Sequence, residues 1–244
     1  MKEGVILAGG EGTRLGENRP YNKHLTLVYD KPMIEHTVEQ MKALGVDHAH
    51  IVSSTSGVAD MFRVYRDEIN GLDVSYHEQY WPNGAAHALG QTALEGAFPV
   101  LCGDTYFDPP LEPSERPTLY WNEFEGAQNH SVYDPETNII VEKPVRDIGK
   151  RAIVAYYYDE RVYDVIKTLE PTERGELELI DIHNWYLEHG VELVQYEGFF
   201  SDMGTPEGLL RVANHLHKKA HPEVQKAEEA VSRFLGKANL RSVR

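Results

Sequence analysis

A glycine-rich turn followed by two cations is the first stretch of this sequence that could do chemistry. The turn, Gly9 to Gly12, comes directly after the apolar run Val5–Ala8, and Arg14 and Lys23 follow it. Glycines let backbone N–H groups converge on an anion, because no Cβ atoms stand in the way. An ordinary strand-to-loop turn also fits three glycines, since glycine fingerprints are weak by themselves. The neighbouring Thr13 and the two cations favour a loop that binds nucleotide phosphates.

The spacing of the glycines excludes two common phosphate-binding loops. A P-loop closes with Gly-Lys followed by Ser or Thr, whereas here Gly12 is followed by Thr13 and Arg14. A Rossmann fingerprint needs its third glycine three residues after the second, and Leu15 occupies that position. The turn therefore belongs to neither class.

Two further polar motifs follow later apolar runs. Asp104 comes after the run Phe98–Cys102 and Gly103, and a carboxylate at the end of a parallel strand is well placed for a divalent cation that carries phosphates. Glu142 and Lys143 end another strand-like run. Taken alone, Asp104 also fits a helix cap or turn, and the Glu-Lys pair also fits an exposed ion pair.

Alternating strand and helix patterns would position these residues. Apolar residues recur at helical spacing over 34–44, a second helical stretch runs to about Met61, and short strand-like runs lie at 51–52 and 74–76. This β-α-β-α-β order predicts a parallel sheet with helices on its faces. Such sheets bind ligands at the carboxyl ends of their strands, where the glycine turn would lie.

The second half of the chain continues the pattern. A turn from Gln79 to Gly84 precedes a helix that is expected from Ala85 to about Glu95, and a further helix is expected to begin at Arg174. Strands are expected at 98–102, 118–124, 138–141, 152–158 and 192–196. Thr205 and Pro206 form a helix start, with Thr as the cap and Pro in the first turn.

The composition limits the classes of function. The 244 residues suffice for one large or two small domains, and no apolar run approaches the roughly 20 residues of a membrane span. The net charge of −15 argues against non-specific nucleic-acid binding, which needs a basic face. The single cysteine, Cys102, excludes an internal disulfide, and the apolar start of the chain shows no signal peptide. A cytoplasmic protein is therefore expected.

The motifs in combination resemble those of the sugar-1-phosphate nucleotidyltransferases, and in particular the glucose-1-phosphate thymidylyltransferases. The resemblance covers roughly Gly4 to His217 and rests on segments in the family's order: Leu7–Leu15, Asn22–Leu25, Val28–Ile34, Gln79–Gly84, Asp104, Glu142–Lys143, Arg174–Glu178 and Asp202–Thr205. It implies an α/β fold with a Rossmann-like, mixed but mainly parallel sheet flanked by helices, of the nucleotidyltransferase and glycosyltransferase-A kind. A small β-rich part would bind the sugar.

The resemblance also implies a role for each matching residue. Arg14 and Lys23 would be catalytic, with Arg14 on the leaving pyrophosphate and Lys23 on the α-phosphate. Asp104 and Asp202 would hold Mg²⁺. The nucleotide would be bound by Leu7, Gly9, Gly10, Gly12, Thr13, Gln79, Pro82, Gly84 and Asp104. The sugar phosphate would be bound by Glu142, Lys143, Tyr156, Arg174 and Glu176.

The implied reaction joins a nucleoside triphosphate, dTTP or UTP, to a sugar 1-phosphate such as glucose 1-phosphate. The sugar phosphate would attack the α-phosphorus in line, giving an NDP-sugar and pyrophosphate. Since the chain is acidic as a whole, such substrates need local cations, because distant charge is screened beyond about 8 Å. Arg14, Lys23, Lys143 and Arg174 are therefore expected to cluster with at least one divalent cation.

Some positions depart from the family pattern, and other functions stay open. Asn129 and Val154 stand where the family has glycine, Ile180 where it has Thr and Phe200 where it has Trp, so the sugar pocket should be reshaped. One alternative is a catalytically silent sugar-nucleotide-binding regulator on the same fold. Another is a nucleotide-sugar glycosyltransferase, for which the expected Asp-x-Asp triplet does not occur.

The sequence predicts a single nucleotidyltransferase domain over 1–217. Its nucleotide half would span about 1–107 and its sugar-binding half about 108–217. A helical tail, 218–244, carries the apolar stripe Val224, Ala227, Val231 and Phe234, which predicts a packing helix or a subunit contact. A homo-oligomer is therefore left open.

Overall fold

A computed structural model describes residues 1–10, 12–16, 21–124, 127, 130–173 and 175–223. In chain order the strands are β1 (Glu3–Leu7), β2 (Leu27–Val28), β3 (Lys31–Pro32), β4 (His48–Ser53), β5 (Glu68–Ile69), β6 (Leu72–Glu78), β7 (Phe98–Cys102), β8 (Thr105–Asp108), β9 (Thr118–Glu123), β10 (Ser131–Asp134), β11 (Ile139–Glu142), β12 (Arg151–Tyr158), β13 (Glu192–Gln195) and β14 (Phe199–Asp202). The α-helices are α1 (Met33–Ala43), α2 (Thr55–Tyr65), α3 (Ala85–Leu89), α4 (Arg161–Thr168), α5 (Leu179–His189) and α6 (Pro206–Ala220).

The centre of the main sheet is parallel. β1 lies between β4 and β7 and pairs with both in parallel, and β4 pairs with β6 in the same sense. Val5 and Ile6 of β1 are fully buried, as expected for a strand covered on both faces, where apolar residues form a continuous run. The carboxyl ends of β1, β4, β6 and β7 therefore lie at one edge, which the sequence pattern predicts.

The same sheet continues as an antiparallel part. β12 pairs antiparallel with β7, and β9 and β10 each pair antiparallel with β12. The full order is β11-β10-β12-β7-β1-β4-β6-β5, with β9 bonded to β12 and β13. The mixed, mainly parallel α/β sheet flanked by helices is confirmed.

Two helix boundaries differ from the sequence-based expectation. The helix expected over 85–95 ends at Leu89, and the segment after it is held by Tyr163, whose hydroxyl lies 2.9 Å from the Thr92 hydroxyl and accepts from the Leu94 N–H at 3.0 Å. The helix expected from Arg174 begins only at Leu179. The backbone before it is held otherwise, since the Leu177 N–H donates to the Asn83 carbonyl at 2.7 Å.

Helix α6 is the last helix that the structure describes. Helix α6 starts as predicted, with the Thr205 hydroxyl accepting from the Gly208 N–H and Pro206 in the first turn. The stripe predicted from Val224 to Phe234 lies outside the described residues. No helix within the described ranges has both the length and the apolar character needed to cross a membrane.

Candidate active site

The glycine turn packs on the side chain of Lys23. A Cβ placed on Gly12, where φ is +70°, would lie 2.8 Å from Cβ and Cδ of Lys23, and one on Gly10 would lie 3.3 Å from its Nζ. A Cβ on Gly9 would lie 2.9 Å from Oε1 of Gln79. The glycines are therefore required by close side-chain approach as well as by the turn itself.

Asn22 fixes the backbone that carries Lys23. Its N–H donates to Asp60 at 2.9 Å, and its amide nitrogen donates to the Ser53 hydroxyl at 3.2 Å. Ser53 in turn donates to the Ala8 carbonyl at 2.7 Å, at the start of the glycine turn. Sequence reasoning missed Ser53 and Asp60, because neither lies in a motif and only the fold brings them to the loop.

Lys23 is buried and paired with Asp104. Its Nζ donates to Oδ2 of Asp104 at 2.5 Å, and only 8% of the lysine side chain is exposed. Burial by itself would raise the pKa of the Asp104 carboxyl, but the adjacent Lys23 ammonium outweighs it, and the pKa lies below the usual value. Asp104 is therefore ionised.

His24 supports this pair without adding charge. Its ring is buried against Gly103 and donates from Nδ1 to the Asn22 side-chain oxygen at 2.7 Å. Burial, together with the nearby Lys23 ammonium, lowers the pKa of His24 from 6.5 to about 3. The imidazole is therefore neutral at physiological pH.

Asp202 is brought to Asp104 by the pairing of β14 with β8. In this antiparallel ladder Asp202 is opposite Thr105, and the Met203 N–H donates to the Asp104 carbonyl at 2.6 Å. A Cβ placed on Gly204 would lie 2.8 Å from Oδ2 of Asp104 and 2.8 Å from Oδ1 of Asp202. The two carboxylates thus converge on one point, beside which only glycine fits.

The converging carboxylates suit a divalent cation. Burial and the neighbouring Asp104 charge raise the pKa of Asp202 above its usual value, which reflects incomplete compensation of negative charge. Hard cations such as Mg²⁺ prefer several oxygen ligands. No group of three or more His, Cys, Asp or Glu in the described ranges is arranged to hold a metal, so further ligands would have to come from substrate and water.

Arg14 lies on the same side of this pair. Its Nη1 is 3.6 Å from Oδ2 of Asp202, and 63% of its side chain is exposed. The guanidinium is thus held loosely enough to bind an incoming anion. Arg14 also lines a cleft of about 880 Å³ that extends from Asp202 into the antiparallel part of the sheet, a volume typical of small-molecule sites.

The cleft gathers most residues that were assigned to the sugar phosphate. Glu142, Lys143 and Tyr156 all line it. Lys143 Nζ is 3.3 Å from Oε1 of Glu142, and the Ser131 hydroxyl donates to the other oxygen of that carboxylate. Lys143 has φ of +43°, a conformation uncommon for residues other than glycine and frequent at functional sites.

Gln79 lies next to Gly9 of the glycine turn, and Gly84 lies next to Gln79. The amide nitrogen of Gln79 already makes contacts within the protein. Its nitrogen donates to the Gly84 carbonyl at 2.9 Å and lies 3.0 Å from Nδ1 of His87. Thr13 and Pro82 are exposed, and Leu7 is buried at the end of β1. The N–H groups of the Gln79 amide therefore already have acceptors within the protein.

Two residues that were assigned to the sugar phosphate, Arg174 and Glu176, are not among the described residues that line the cleft. Arg174 lies outside the described residues. Glu176 is absent from the cleft lining and belongs to the segment that packs on the Gly84 turn through Leu177. The expected cluster of four cations is therefore represented by Arg14 and Lys143 at the cleft and by Lys23 at the carboxylate pair.

The cleft also contains residues that sequence reasoning did not assign. Arg211 of α6 lines it, with its guanidinium carbon 5.1 Å from the centre of the Phe199 ring. Among the described residues no carboxylate lies within 4.0 Å of the Arg211 side chain, whereas Arg14 and Lys143 each have one. The signal available in the sequence was weak: a single Arg on the helix that follows Thr205.

The departures from the family pattern fall partly in this cleft. Phe200 lines it, as expected for the position of a sugar-pocket Trp. Val154 is instead buried in the core, and its neighbour Ile153 lines the cleft, because the register of β12 shifts between Ile153 and Ala155. The expected reshaping by Val154 itself is therefore not seen. Asn129 lies outside the described residues.

Comparison with known proteins agrees with this geometry. Residues 4–111 match the family of MobA-like NTP transferase domains, and residues 131–219 match the nucleotidyl transferase family. Glucose-1-phosphate thymidylyltransferase from Neisseria meningitidis is 31% identical over 87% of this chain and 81% of its own length. The enzyme of the same name from an Actinoplanes species is 29% identical over 98% of this chain and 88% of its own.

Solved structures give the same result for the fold. A Bacillus anthracis protein described as a glucose-1-phosphate thymidylyltransferase, crystallised with sucrose, has a TM-score of 0.80 and 29% identity, covering 88% of this chain and 94% of that one. A UDP-glucose pyrophosphorylase bound to UDP-glucose has a TM-score of 0.79 at 19% identity, over 90% and 99% of the two chains. The second likeness concerns the fold alone. From the converging carboxylates, the ordered motifs and a relative that is 31% identical along most of both chains, it follows that the chain belongs to the sugar-1-phosphate nucleotidyltransferase family of enzymes.

Proposed function

We propose that this protein joins dTTP or UTP to a sugar 1-phosphate, glucose 1-phosphate or a relative, to give an NDP-sugar and pyrophosphate. The observation that carries the proposal is the convergence of Asp104 and Asp202 beside Lys23, at the mouth of a cleft that also contains Glu142 and Lys143. Such a reaction needs positioning and charge neutralisation rather than a covalent nucleophile.

The nucleotide is proposed to lie on the glycine turn. Arg14, which is exposed and only 3.6 Å from Asp202, would bind the leaving pyrophosphate. Lys23 would exchange its contact with Asp104 for one with the α-phosphate. A buried ammonium that already faces the reaction point neutralises charge without having to be reorganised at the moment of reaction.

Asp104 and Asp202 are proposed to hold Mg²⁺. The bound ion would neutralise and orient the triphosphate. Because Asp104 is ionised, it can contribute a charged oxygen at once. The raised pKa of Asp202 means that a cation near it would also favour its ionised form, since an opposite charge stabilises a carboxylate.

The sugar 1-phosphate is proposed to occupy the cleft. Glu142, which accepts from Ser131 and lies beside Lys143, would accept hydrogen bonds from sugar hydroxyls, and Lys143 would bind the phosphate. Arg211 would supply a further cation to this substrate, because no carboxylate among the described residues pairs with it. Lys143 and Arg211 together would offset repulsion between the two anionic substrates.

The remaining expectations stay proposals. We place the nucleotide half at about 1–107 and the sugar-binding half at about 108–217, with Asp202 of the second half as a member of the proposed metal pair. A cytoplasmic location is a prediction from the sequence alone, and a homo-oligomer is left open.

One assay tests the proposed function. Pyrophosphate release would be measured for each nucleoside triphosphate, crossed with a panel of sugar 1-phosphates, in the presence of Mg²⁺. We expect release with dTTP or UTP and at least one sugar 1-phosphate, and its loss in Asp104→Asn and Asp202→Asn. No release in any combination, with nucleotide or sugar nucleotide still bound, would instead support the silent regulator.

A further inference from the structure

The Gln79 amide, at the end of β6, is held in one orientation. The side chain is buried, and its nitrogen lies 2.9 Å from the Gly84 carbonyl oxygen and 3.0 Å from Nδ1 of His87. A carbonyl oxygen can only accept, so the amide nitrogen and not the amide oxygen must face Gly84. The second N–H of the same amide is directed to His87, which accepts on Nδ1 when the ring is neutral and protonated on Nε2.

The amide oxygen consequently faces the glycine turn. A Cβ placed on Gly9 would lie 2.9 Å from Oε1 of Gln79, so this oxygen is directed to the edge at which the nucleotide is proposed to bind. Since both N–H groups of the amide are directed to Gly84 and His87, the amide presents an acceptor and no donor at the glycine turn. This deepens the proposed function, and it requires that a nucleotide lie on the glycine turn.

The position of His87 is fixed by its helix. His87 lies in the short helix α3, whose Ala86 N–H donates to the Leu177 carbonyl at 3.1 Å. Gly84 is held in the same place, because a Cβ there would lie 2.4 Å from the Leu177 carbonyl oxygen. The Gly84 carbonyl and the helix that carries the His87 side chain are therefore both positioned by contacts with Leu177.

We propose that His87 is a positioning residue for nucleobase selection. By accepting the second N–H of Gln79, it adds to the hydrogen bond with the Gly84 carbonyl and so strengthens the orientation in which Oε1 is directed to the base. A base whose ring nitrogen carries a hydrogen, such as N3 of uracil or thymine, can donate to this oxygen. In a pose in which Oε1 faces N3 of the base, cytosine presents an acceptor there and leaves two acceptors unpaired, and only a shifted base could offer its N4 amino group instead.

The test compares kcat/KM for UTP and CTP, with glucose 1-phosphate as the second substrate, in the wild type, His87→Leu and His87→Asn. Leucine preserves bulk and removes the acceptor. Asparagine restores one, because its Oδ1 is as many bonds from Cα as Nδ1 of histidine. Thermal unfolding of each variant is recorded to show that it is folded.

We expect the wild type to favour UTP, His87→Leu to lower the UTP-to-CTP ratio about tenfold, and His87→Asn to recover most of that loss. An equal fall of kcat/KM for both nucleotides, an unchanged ratio or no recovery with Asn would reduce His87 to a structural role. A wild type that favours CTP would contradict the proposal as well. If no pyrophosphate is released with any nucleotide and sugar 1-phosphate of the full panel, the proposed function fails, and calorimetric binding of UTP and CTP to the same variants still decides the role of His87.

Discussion

Lys23 illustrates how a residue in a loop motif can be both structural and chemical. Its aliphatic part packs on Gly12 and its ammonium is paired with Asp104, so that only 8% of the side chain is exposed. A buried lysine without its partner would be costly, and the same holds for Asp104. The pair therefore holds the Lys23 ammonium in place at the proposed reaction point before any substrate arrives.

Replacing Lys23 by Met should separate these two contributions. Methionine retains most of the aliphatic packing and removes the charge. We expect kcat to fall by about two orders of magnitude or more, because an electrostatic contact to the α-phosphate is lost. The free energy of unfolding should fall by about 3 kcal/mol in metal-free buffer, since Asp104 is left buried without its cation. Steady-state kinetics and urea denaturation measure the two effects.

The control for this variant is Lys167→Met, on the exposed surface of α4. Its ammonium contacts only Asp164 at 2.8 Å across one helical turn, and such exposed pairs contribute little. We expect Lys167→Met to keep normal turnover. If Lys23→Met also keeps near-normal turnover under the same conditions, Lys23 has no catalytic role.

Arg211 gives a second prediction at this scale. Because it lines the cleft and has no carboxylate within 4.0 Å among the described residues, Arg211→Ala should raise KM for the sugar 1-phosphate about tenfold or more. KM for the nucleotide should change little. Steady-state kinetics with either substrate varied distinguish the two, and Arg116→Ala, whose exposed guanidinium pairs with Glu192 at 3.0 Å outside the cleft lining, is the control. A selective rise in the nucleotide KM would show that Arg211 serves the other substrate.

At the scale of elements, two joints assemble the site. The β14–β8 ladder carries Asp202 to Asp104, and the segment before α5 holds the turn at Gly84 through Leu177. Both joints connect the second half of the chain to strand ends of the first. The contacts that form both joints are hydrogen bonds of the backbone, so their effect on function passes through position.

A substitution at Gly84 tests the contact between the Gly84 turn and the Leu177 segment. Gly84 has φ of +94°, and a Cβ there would lie 2.4 Å from the Leu177 carbonyl oxygen, which is backbone and cannot rotate away. Gly84→Ala should therefore lower the free energy of unfolding by about 3 kcal/mol, combining backbone strain with displacement of the Leu177 segment. Urea denaturation measures the change.

Gly96→Ala is the matched control for that variant. Gly96 also has a positive φ, of +69°, but a Cβ there would meet nothing within 4 Å. Its cost should be limited to the left-handed conformation, about 1 kcal/mol. Equal losses in the two alanine variants would mean that the contact with Leu177 contributes nothing.

At the scale of the whole molecule, buried neutral histidines couple stability to pH. His24 and His183 are both almost completely buried, and burial lowers the pKa of each from 6.5 to about 3. His183 packs against the Tyr156 ring, with 4.6 Å between ring centres, and neither of its nitrogens has a hydrogen-bond partner among the described residues. In the unfolded chain both imidazoles titrate near 6.5.

Stability should therefore fall as the pH is lowered from 6.5 toward 3. Below 6.5 the unfolded state binds protons that the native state does not, so unfolding is favoured by about 1.4 kcal/mol per pH unit for each histidine. Between pH 6.5 and pH 5.5 the two residues together should cost about 2 kcal/mol, because the unfolded imidazoles are only half protonated at pH 6.5. Urea denaturation at these two pH values and at pH 7.5, where little change is expected, measures the slope.

His183→Leu checks this attribution. Leucine is similar in size and does not titrate, so the loss between pH 6.5 and pH 5.5 should shrink by about 1 kcal/mol. A slope that is unchanged in this variant would show that other groups cause the acid sensitivity.

The sequence alone was sufficient for much of this fold and site. The alternating apolar runs predicted the parallel sheet, and the motifs at strand ends predicted which residues would lie at its carboxyl edge, because strand and turn signals are local. The same signals were too weak at α3 and α5. There, contacts with Tyr163 after α3 and with Leu177 before α5 hold the chain outside the helices, and both contacts are tertiary.

By itself, the sequence determined the chemical types available after each strand: glycines and a lysine after β1, a carboxylate after β7 and a Glu-Lys pair at β11. Only the tertiary structure decided that Asp202 meets Asp104, that Gln79 presents its oxygen to the glycine turn, and that Arg211 joins the cleft. The physical reason is that local patterns fix backbone conformation, whereas the approach of distant side chains depends on strand pairing and packing across the whole chain.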